Sequence, residues 1–284
     1  MKNLFTLLLT GLASITMMAE VSVSDKTVLL KLYAATDGAN WNTKWDLSSP
    51  ISTWYGVGLE GDKVVSINLS DNNLVGEIPS EIVNLIDLKK LDLHKNGISG
   101  VIPSALEKLK ELVVLNLSFN RLTGTIPSSI GEMNNLVDLE LYMNRLSGEL
   151  PAQIGNLKHL ETLAVFNNEL EGQIPSSLYE VKTLKVLLLN SNNLDGKLST
   201  SVINLKNLEN LSLFENKMDG QVPFELEKLN NLKEMNISYN QFSGLISRRL
   251  ASLDTLNMTM LNNEGVAVLL DVAMDLERTI VSEE

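Results

Sequence analysis

The sequence predicts an α/β solenoid, in which short strands stack into one long, concave parallel sheet that is closed by a helical segment at each end. Three observations support this prediction. A 24-residue unit repeats eight times between residues 64 and 255, apolar residues alternate within each unit, and helix-like patterns lie on both sides of the repeats. One such unit cannot bury its apolar face alone, but stacked copies share a continuous core.

The composition agrees with this prediction and argues against several classes of function. Of the 284 residues, 44% are hydrophobic but only 5% are aromatic, so the core is expected to be aliphatic. The net charge of −12 argues against a nucleic acid partner, because phosphate backbones are bound through Lys and Arg. The chain has no cysteine, which excludes disulfides and thiolate chemistry. We expect no cofactor, no metal site and no catalytic residue.

Residues 1–19 resemble a secretory signal peptide. Lys2 supplies the positive start, an apolar run extends from Leu4 to Ala19, and cleavage is expected after Ala19. A membrane anchor is the alternative interpretation, but the run is short for a membrane span, which needs about 18 apolar residues or more. We therefore expect a secreted or cell-surface protein with no membrane span in the mature chain.

Residues 20–63 are expected to cap the first repeat. The pattern from Ser24 to Gly38 predicts a helix with Ser24 as its N-cap. Its apolar face would consist of Val28, Leu29, Leu32 and Tyr33. The three tryptophans of the chain follow, at positions 41, 45 and 54. They are interpreted as rings that close the exposed core of the first repeat, with a carbohydrate site as the alternative.

The eight repeats have fixed positions with local structural meaning. Positions four and six of each unit are apolar and separated by one residue, which predicts a short strand with one face inward. Glycine at position thirteen suits a positive φ or a close approach, and proline at position sixteen of six units suits an outer wall. The units begin at Val64, Leu88, Leu112, Leu136, Leu160, Leu184, Leu208 and Leu232.

Asparagine occupies position nine of every unit. A column of amides can hydrogen-bond the turning backbone of neighbouring units, where no strand partner is available. The predicted structural asparagines are Asn72, Asn96, Asn120, Asn144, Asn168, Asn192, Asn216 and Asn240.

The template L-x-x-L-x-L-x-x-N-x-L-x-G-x-I-P resembles the plant-type leucine-rich repeat of receptor-kinase ectodomains and polygalacturonase-inhibiting proteins. The resemblance implies a curved superhelix whose concave face binds proteins, peptides or glycans. The segment DGANW…W…WYGV is similar to the N-terminal cap of secreted bacterial and algal leucine-rich repeat proteins, and it lacks the paired cysteines of plant caps.

Residues 256–284 are expected to contain a degenerate repeat and a C-terminal capping helix. Apolar residues between Val266 and Ser282 recur at helical spacing, which predicts an amphipathic helix that closes the stack. A partner-binding or loose tail is the alternative.

The candidate ligand-binding residues lie between the fixed leucines. Positions three, five, seven and eight should face the hollow, and positions seven and eight concentrate aromatic side chains. These rings either bind a partner or pack as a ladder between strands. The candidates are Phe119, Tyr142, Met143, Phe166, Asn167, Asn190, Phe214 and Tyr239, with Arg121 and Arg145 at the rim.

The leading hypothesis is therefore a non-enzymatic recognition module that binds a protein, peptide or glycan on its concave face. A structural or adhesive envelope protein without a specific small ligand is the alternative. An ice-binding role would need a flat column of threonines, whereas these columns are mixed. Asp92, His94 and Lys95 are residue types that can serve in acid–base catalysis. We expect no catalysis there, because no nucleophile is expected nearby.

Overall fold

The computed structural model describes residues 21–272, except 255, 257 and 263. The expected signal peptide and residues 273–282 of the expected C-terminal helix lie outside the described residues. Within the described part of the chain, no helix combines the length and the apolar character that crossing a membrane requires.

One sheet runs through all eight repeats, as predicted. Successive strands pair in parallel with a shift of one unit, so that Leu91 aligns with Leu115 and Leu115 with Leu139. An additional first strand, Val57–Glu60, pairs antiparallel with the strand of the first repeat and was not predicted. The sheet contains, in order, Val57–Glu60, Lys63–Asn68, Lys90–Asp92, Val114–Asn116, Asp138–Glu140, Thr162–Ala164, Val186–Leu188, Asn210–Ser212 and Glu234–Asn236.

Shorter parallel ladders follow the turn at the end of each main strand. They are formed by Val75–Glu77 with Gly97–Ser99, by Thr123–Gly124, Arg145–Glu149, Glu169–Gln173 and Asn193–Asp195, and by Asp219–Gln221 with Gln241–Ser243. At position thirteen of these segments every glycine has a positive φ, as predicted. At Gly76 a Cβ atom would collide with the carbonyl oxygen of Ala35, so only glycine fits.

The outer wall consists of 3₁₀ helices that begin directly after the position-sixteen residue. Pro127, for example, has φ of −67° and precedes the helix Ser128–Glu132, where its missing N–H is not needed. The helices are Ser80–Asn84, Ser104–Lys108, Ser128–Glu132, Ala152–Asn156, Ser176–Glu180, Thr200–Asn204 and Phe224–Lys228, and the eighth unit instead has the α-helix Arg248–Ala251.

The core lies between the sheet and the outer wall. Leu115 and Leu117 of one strand and Ile130 and Met133 of the following 3₁₀ segment are fully buried, and equivalent positions are buried along the stack. Burial of each such side chain contributes about 1.5–3 kcal/mol relative to an exposed one. The continuous core confirms the predicted inward positions four and six, and it also contains positions nineteen and twenty-two, such as Ile130 and Met133.

The asparagine column forms the predicted hydrogen bonds. The Asn120 amide donates to the carbonyl oxygens of Leu93 and Leu117 at 3.0 Å each, and its oxygen accepts the Ile98 N–H at 3.0 Å. Each such asparagine therefore ties its own turn to the preceding unit. The first one, Asn72, ties its turn to the N-terminal segment instead, through two hydrogen bonds with the Thr43 backbone.

Position eight of each unit has a left-handed backbone conformation, which was not predicted. The φ angles lie between 51° and 58° although none of the residues is glycine. The N–H of Phe119 donates to the carbonyl oxygen of Tyr142 in the next unit at 2.9 Å, and this pattern recurs along the stack. These bonds offset the roughly 1–2 kcal/mol by which a side chain disfavours this conformation. The residues are Asp71, Lys95, Phe119, Met143, Asn167, Ser191, Glu215 and Tyr239.

The N-terminal helix spans Val23–Ala35, and its predicted boundaries need correction. Ser22, not Ser24, is the N-cap, because its side-chain oxygen accepts the Asp25 N–H at 3.0 Å. The helix ends before Gly38, and Asp37 has the left-handed conformation (φ 56°) that turns the chain into the 3₁₀ helix Gly38–Asn40. The predicted buried residues of its face are confirmed for Val28, Leu29 and Leu32, while Tyr33 is half-buried.

The three tryptophans close the core beneath the first repeat. All three are buried, and the rings of Trp45 and Trp54 stack with centroids 4.7 Å apart. The indole N–H groups of Trp41 and Trp45 donate to the carbonyl oxygens of Thr36 and Tyr55, both at 2.8 Å. Buried rings offer no surface to a sugar, so the packing interpretation is the correct one.

The C-terminal helix prediction is wrong over residues 266–272. Ala267–Leu269 is a strand that pairs antiparallel with Thr259–Leu261, and Asp271–Val272 pairs in parallel with Leu245–Ile246. The chain reverses at Asn262, whose side-chain oxygen accepts two backbone N–H groups, and at Gly265, which has φ of 74°. The apolar residues of this run also recur at every second position, which is the spacing of a strand. Pairing with the strand Thr259–Leu261 therefore favours a strand over a helix here.

Candidate ligand-binding face

The candidate residues lie on the solvent-facing side of the main sheet, which we call the concave face. Leu115 and Leu117 point into the core, so their neighbours Val114 and Asn116 point to the opposite side of the sheet and are partly exposed. The same alternation applies in each repeat. Positions three, five and seven therefore lie on the concave face, and position eight lies at its edge.

Three rings from consecutive repeats form a continuous row on this face. Phe119 meets Tyr142 edge to face, with centroids 5.4 Å apart, and Tyr142 stacks on Phe166 at 4.3 Å with the ring planes 10° apart. A second pair, Phe214 and Tyr239, packs edge to face at 5.3 Å. Such contacts contribute about 0.5–1.5 kcal/mol each. The sequence-predicted ladder is thus present.

The rings remain accessible although they contact one another. Phe119 is 43% exposed, Tyr239 39% and the neighbouring Met143 37%. Tyr142, Phe166 and Phe214 are half-buried, and none of these side chains belongs to the core. Packing and exposure therefore coexist, and an exposed apolar surface of this kind is typical of recognition sites.

Two asparagines interrupt the row between Phe166 and Phe214. Asn190 occupies position seven in the repeat between the two rings, and Asn167 precedes it at position eight of the previous repeat. The Asn167 N–H donates to the Asn190 carbonyl oxygen at 3.0 Å, so the two residues are adjacent. Both are half-buried, and neither side-chain amide has a hydrogen-bond partner among the described residues.

Two arginines lie beside the rings, at position ten of the third and fourth repeats. Arg121 and Arg145 are exposed, and within the described part of the chain neither guanidinium forms a hydrogen bond or an ion pair. Arg121 borders a small cleft together with Asp71 and Lys95, and the role of both arginines as rim contacts stays a prediction.

A charged cluster occupies the concave face on the N-terminal side of the rings. His94 Nδ1 lies 2.8 Å from the Asp92 carboxylate, which also pairs with Lys90 at 3.2 Å. Glu140 accepts a hydrogen bond from Asn116 at 3.2 Å. Burial raises the pKa of Glu140, and the nearby Asp138 and Asp92 carboxylates add to this effect.

The charged cluster lacks the geometry of a hydrolytic site. The candidate nucleophile in the next repeat, Ser118, is fully buried, and its hydroxyl donates to the Asn116 side-chain oxygen at 2.6 Å instead of to His94. That Asp92, His94 and Lys95 are not catalytic stays a prediction, and the hydrogen bond of Ser118 to Asn116 supports it.

Two aliphatic side chains that were not among the predicted site residues also contribute to the concave face. Val186 and Leu188, at positions three and five of the sixth repeat, are half-buried on this face next to Asn190. Ala164, in the adjacent strand, is aligned with Leu188 and is also apolar. Reading positions three and five as columns, as was done for seven and eight, would have identified them.

A wide cleft of about 1190 Å³ lies outside the concave face, on the N-terminal segment. Residues 48–53, four of which carry hydroxyl groups, line the cleft together with Val57 and Leu59 of the first strand. No side chain in this lining was predicted to bind a ligand, and we assign it none.

Two family descriptions match the repeats. The family described as a leucine-rich repeat region matches residues 141–263, and the family described as a leucine rich repeat matches residues 62–122 and 86–146. A probable leucine-rich repeat receptor-like protein kinase of Arabidopsis thaliana is 38% identical over 80 residues, which is 23% of this chain and 8% of the kinase.

Solved structures with the same architecture include plant receptor ectodomains. The PEPR1–AtPEP1 structure is 27% identical with a TM-score of 0.70 and covers 88% of this chain and 42% of that one. The Arabidopsis receptor kinase HAESA, in complex with the peptide hormone IDA and the co-receptor SERK1, is 26% identical with a TM-score of 0.58, covering 88% and 50%. This chain thus spans half or less of these receptor chains.

A plant ice-binding protein has the same fold. It is 22% identical with a TM-score of 0.63 and covers 90% of this chain and 99% of that one. At this identity the likeness concerns the fold alone.

Proposed function

The chain is a leucine-rich repeat protein, and on this premise we propose that it is a non-enzymatic recognition module that binds a protein or a peptide on its concave face. The observation that carries the proposal is the row of accessible rings formed by Phe119, Tyr142 and Phe166. Among the similar solved structures, HAESA is in complex with the peptide hormone IDA, and RGFR1 is described as a plant peptide hormone receptor in complex with RGF2, which supports a peptide or protein as the partner.

The geometry of the rings favours a peptide over a glycan. A sugar packs best on an open face of an aromatic ring, but the Tyr142–Phe166 stack covers one face of each of these two rings, and the Phe119 ring meets Tyr142 edge to face. The accessible parts of the rings and the thioether of Met143 suit the apolar side chains of a peptide. The proposed binding residues are Phe119, Tyr142, Met143, Phe166, Asn167, Asn190, Phe214 and Tyr239, with Arg121 and Arg145 as rim contacts.

We further propose that the protein is exported and acts outside the cell or at its surface. The apolar run from Leu4 to Ala19 after the positive Lys2 supports this. The segment before the repeats lacks the paired cysteines of plant caps. Residues 20–63 would then be a cap of the kind found in secreted bacterial and algal relatives, followed by repeats over 64–255 and a degenerate repeat in 256–284.

The second candidate function is a structural or adhesive envelope protein. Exposed apolar side chains near the C-terminal end of the stack favour it, including Leu245, Val268 and Leu269. Such a surface would give concentration-dependent association without selectivity for a ligand, which sedimentation analysis of residues 20–284 would detect.

The main test replaces Tyr142, Phe166 and Phe214 together by Ala. Binding of residues 20–284 to a synthetic peptide array should be lost, because these side chains form the centre of the apolar surface. The loss of half-buried ring contacts should destabilise the fold by only about 2–4 kcal/mol, so the protein should still unfold cooperatively on heating.

The matched control is Phe224→Ala on the outer wall, where the ring is 50% exposed. It should leave peptide capture unchanged. If the triple variant binds as well as the unmodified protein, or if it does not fold at all, the rings serve packing and the proposed function fails.

A further inference from the structure

Asn167 and Asn190 are two unpartnered amides in the middle of an otherwise apolar row. Each side chain can donate two hydrogen bonds and accept two more, and neither uses this capacity within the described part of the chain. In contrast, each amide of the structural column, such as Asn168 at position nine, is engaged by backbone groups. The free amides are therefore available to a ligand.

The surroundings of the two amides disfavour an anionic ligand, since the apolar side chains next to them are bordered by carboxylates: Ser191 donates to Glu215 at 2.7 Å, and Ala164 is aligned with Glu140. Phe166 and Phe214 lie on either side of Asn190, and Ala164, Val186 and Leu188 extend the uncharged surface along the neighbouring strands. The chain has a net charge of −12, and a surface of such a chain that has no cations does not attract phosphate or sulfate groups. A peptide main chain is neutral and carries the matching N–H and C=O groups.

The spacing of the rings fits one extended chain. Phe166 and Phe214 are separated by two strand spacings, which is about 10 Å. An extended peptide seated over Asn190, parallel to the strands, would turn one hydrogen-bonding edge toward the amides. Because side chains alternate along an extended chain, successive residues would then lie against Phe166 on one side and Phe214 on the other.

We propose that Asn167 and Asn190 hydrogen-bond the main chain of an extended, uncharged peptide segment that crosses the sheet between Phe166 and Phe214. This inference rests on the proposed function and adds the class of ligand and the atoms that hold it. The amides recognise the main chain, and the rings select apolar residues at adjacent positions of the peptide.

The test uses an array of synthetic eight-residue peptides in which two adjacent apolar residues are moved through a Gly/Ser frame. The tightest binder is then remade with an N-methyl group at each backbone nitrogen in turn. Methylation next to the apolar pair should weaken binding to the unmodified protein tenfold or more, because it removes a donor that the amides accept. Methylation at the peptide ends should have little effect.

Asn190→Ala and Asn167→Gly should each weaken binding of the unmethylated peptide about tenfold and abolish the sensitivity to N-methylation. Glycine is chosen at residue 167 because its φ of 51° disfavours alanine. Asn134→Ala is the matched control, since this asparagine lies on an exposed turn of the outer wall. Circular dichroism and thermal unfolding verify that all three variants fold.

The outcomes separate the two proposals. A peptide that requires Tyr142 and Phe166 but tolerates N-methylation and both Asn variants would overturn this inference and leave the proposed function intact. An array on which no peptide binds the unmodified protein would overturn both.

Discussion

Tyr179 shows how a single residue can depart from the repeat template at an energetic cost. It lies in the 3₁₀ helix Ser176–Glu180, is buried to 1% exposure, and its hydroxyl has no hydrogen-bond partner among the described residues. Burial raises the pKa of Tyr179 to about 12, only partly opposed by the Ser199 backbone. Ser199 stands where six other repeats have proline, so its N–H is the nearest available donor, but the geometry does not make a hydrogen bond.

Tyr179→Phe should therefore stabilise the protein. The substitution removes a buried hydroxyl whose desolvation costs about 1 kcal/mol or more while keeping the ring in place. Urea unfolding should show a higher midpoint with an unchanged slope. A decrease in stability would mean that the hydroxyl is satisfied in solution, for example by a bound water.

Glu140 should make stability depend on pH. Its ordinary pKa is 4.5, and burial together with Asp138 and Asp92 raises it in the folded state. The folded protein then binds the proton more tightly than the unfolded chain, so stability falls as the pH rises from about 4.5 through the raised pKa. At neutral pH the charged Glu140 is a net penalty.

Glu140→Gln should consequently raise the stability at pH 7 by up to about 1 kcal/mol, since the side chain is only half-buried. The gain should vanish below about pH 4, where the native carboxyl is protonated. Urea unfolding of the variant and of the unmodified protein across this range checks the effect. An equal gain at both pH values would contradict the assignment.

At the scale of the element, the sequence predicted the features in which a given residue type serves one structural purpose, such as a positive φ, a side-chain hydrogen bond to a turn, or burial in the core. Position-thirteen glycines, position-nine asparagines and the paired leucines of each strand all have the predicted roles. The left-handed turn at position eight could not be foreseen, because Phe119, Met143 and Tyr239 are not residues that favour it. Long-range strand pairing imposes that turn.

The ends of the stack were harder to predict for a related reason. Ser22 and Ser24 both stand at the start of the N-terminal helix, which begins at Val23, so either could cap it on sequence grounds. The structure fixes this turn through Asp25, whose carboxylate accepts the Val64 N–H of the first repeat at 3.1 Å. At the C-terminal side, residues 266–270 fit both a helix and a strand, and only the presence of Thr259–Leu261 as a partner decides. The sequence columns at positions seven and eight predicted that the rings lie side by side on the concave face, and that these rings bind a ligand stays a prediction.

The asparagine column allows a sharp test at this scale. Asn144→Ala should destabilise the protein by about 3 kcal/mol, because it leaves the Leu117 and Leu141 carbonyl oxygens and the Leu122 N–H without their partner. Asn135→Ala, which removes one exposed hydrogen bond to Lys110, should cost less than about 1 kcal/mol. Comparable losses for the two variants, measured by urea unfolding, would refute the structural role of the column.

At the scale of the whole molecule, each repeat contacts mainly its two neighbours, and every unit has the same length. Deletion of residues 184–207 should therefore give a folded, shorter protein, because the fifth and seventh repeats present matching strands and asparagines to each other. Circular dichroism should retain its shape, and the unfolding temperature should fall. Loss of cooperative unfolding would show that the repeats are not interchangeable.

The antiparallel first strand, Val57–Glu60, has a consequence for how such a protein changes over generations. A repeat placed before that strand would meet an antiparallel edge instead of the parallel edge that the other units share, and Asn72 already uses its amide on the segment before it. Duplication in the interior is therefore the simpler route for new copies, because interior units accept any equivalent neighbour. The number of repeats can therefore change during evolution, and the length of the concave face changes with it. The N-terminal end of the stack stays the same.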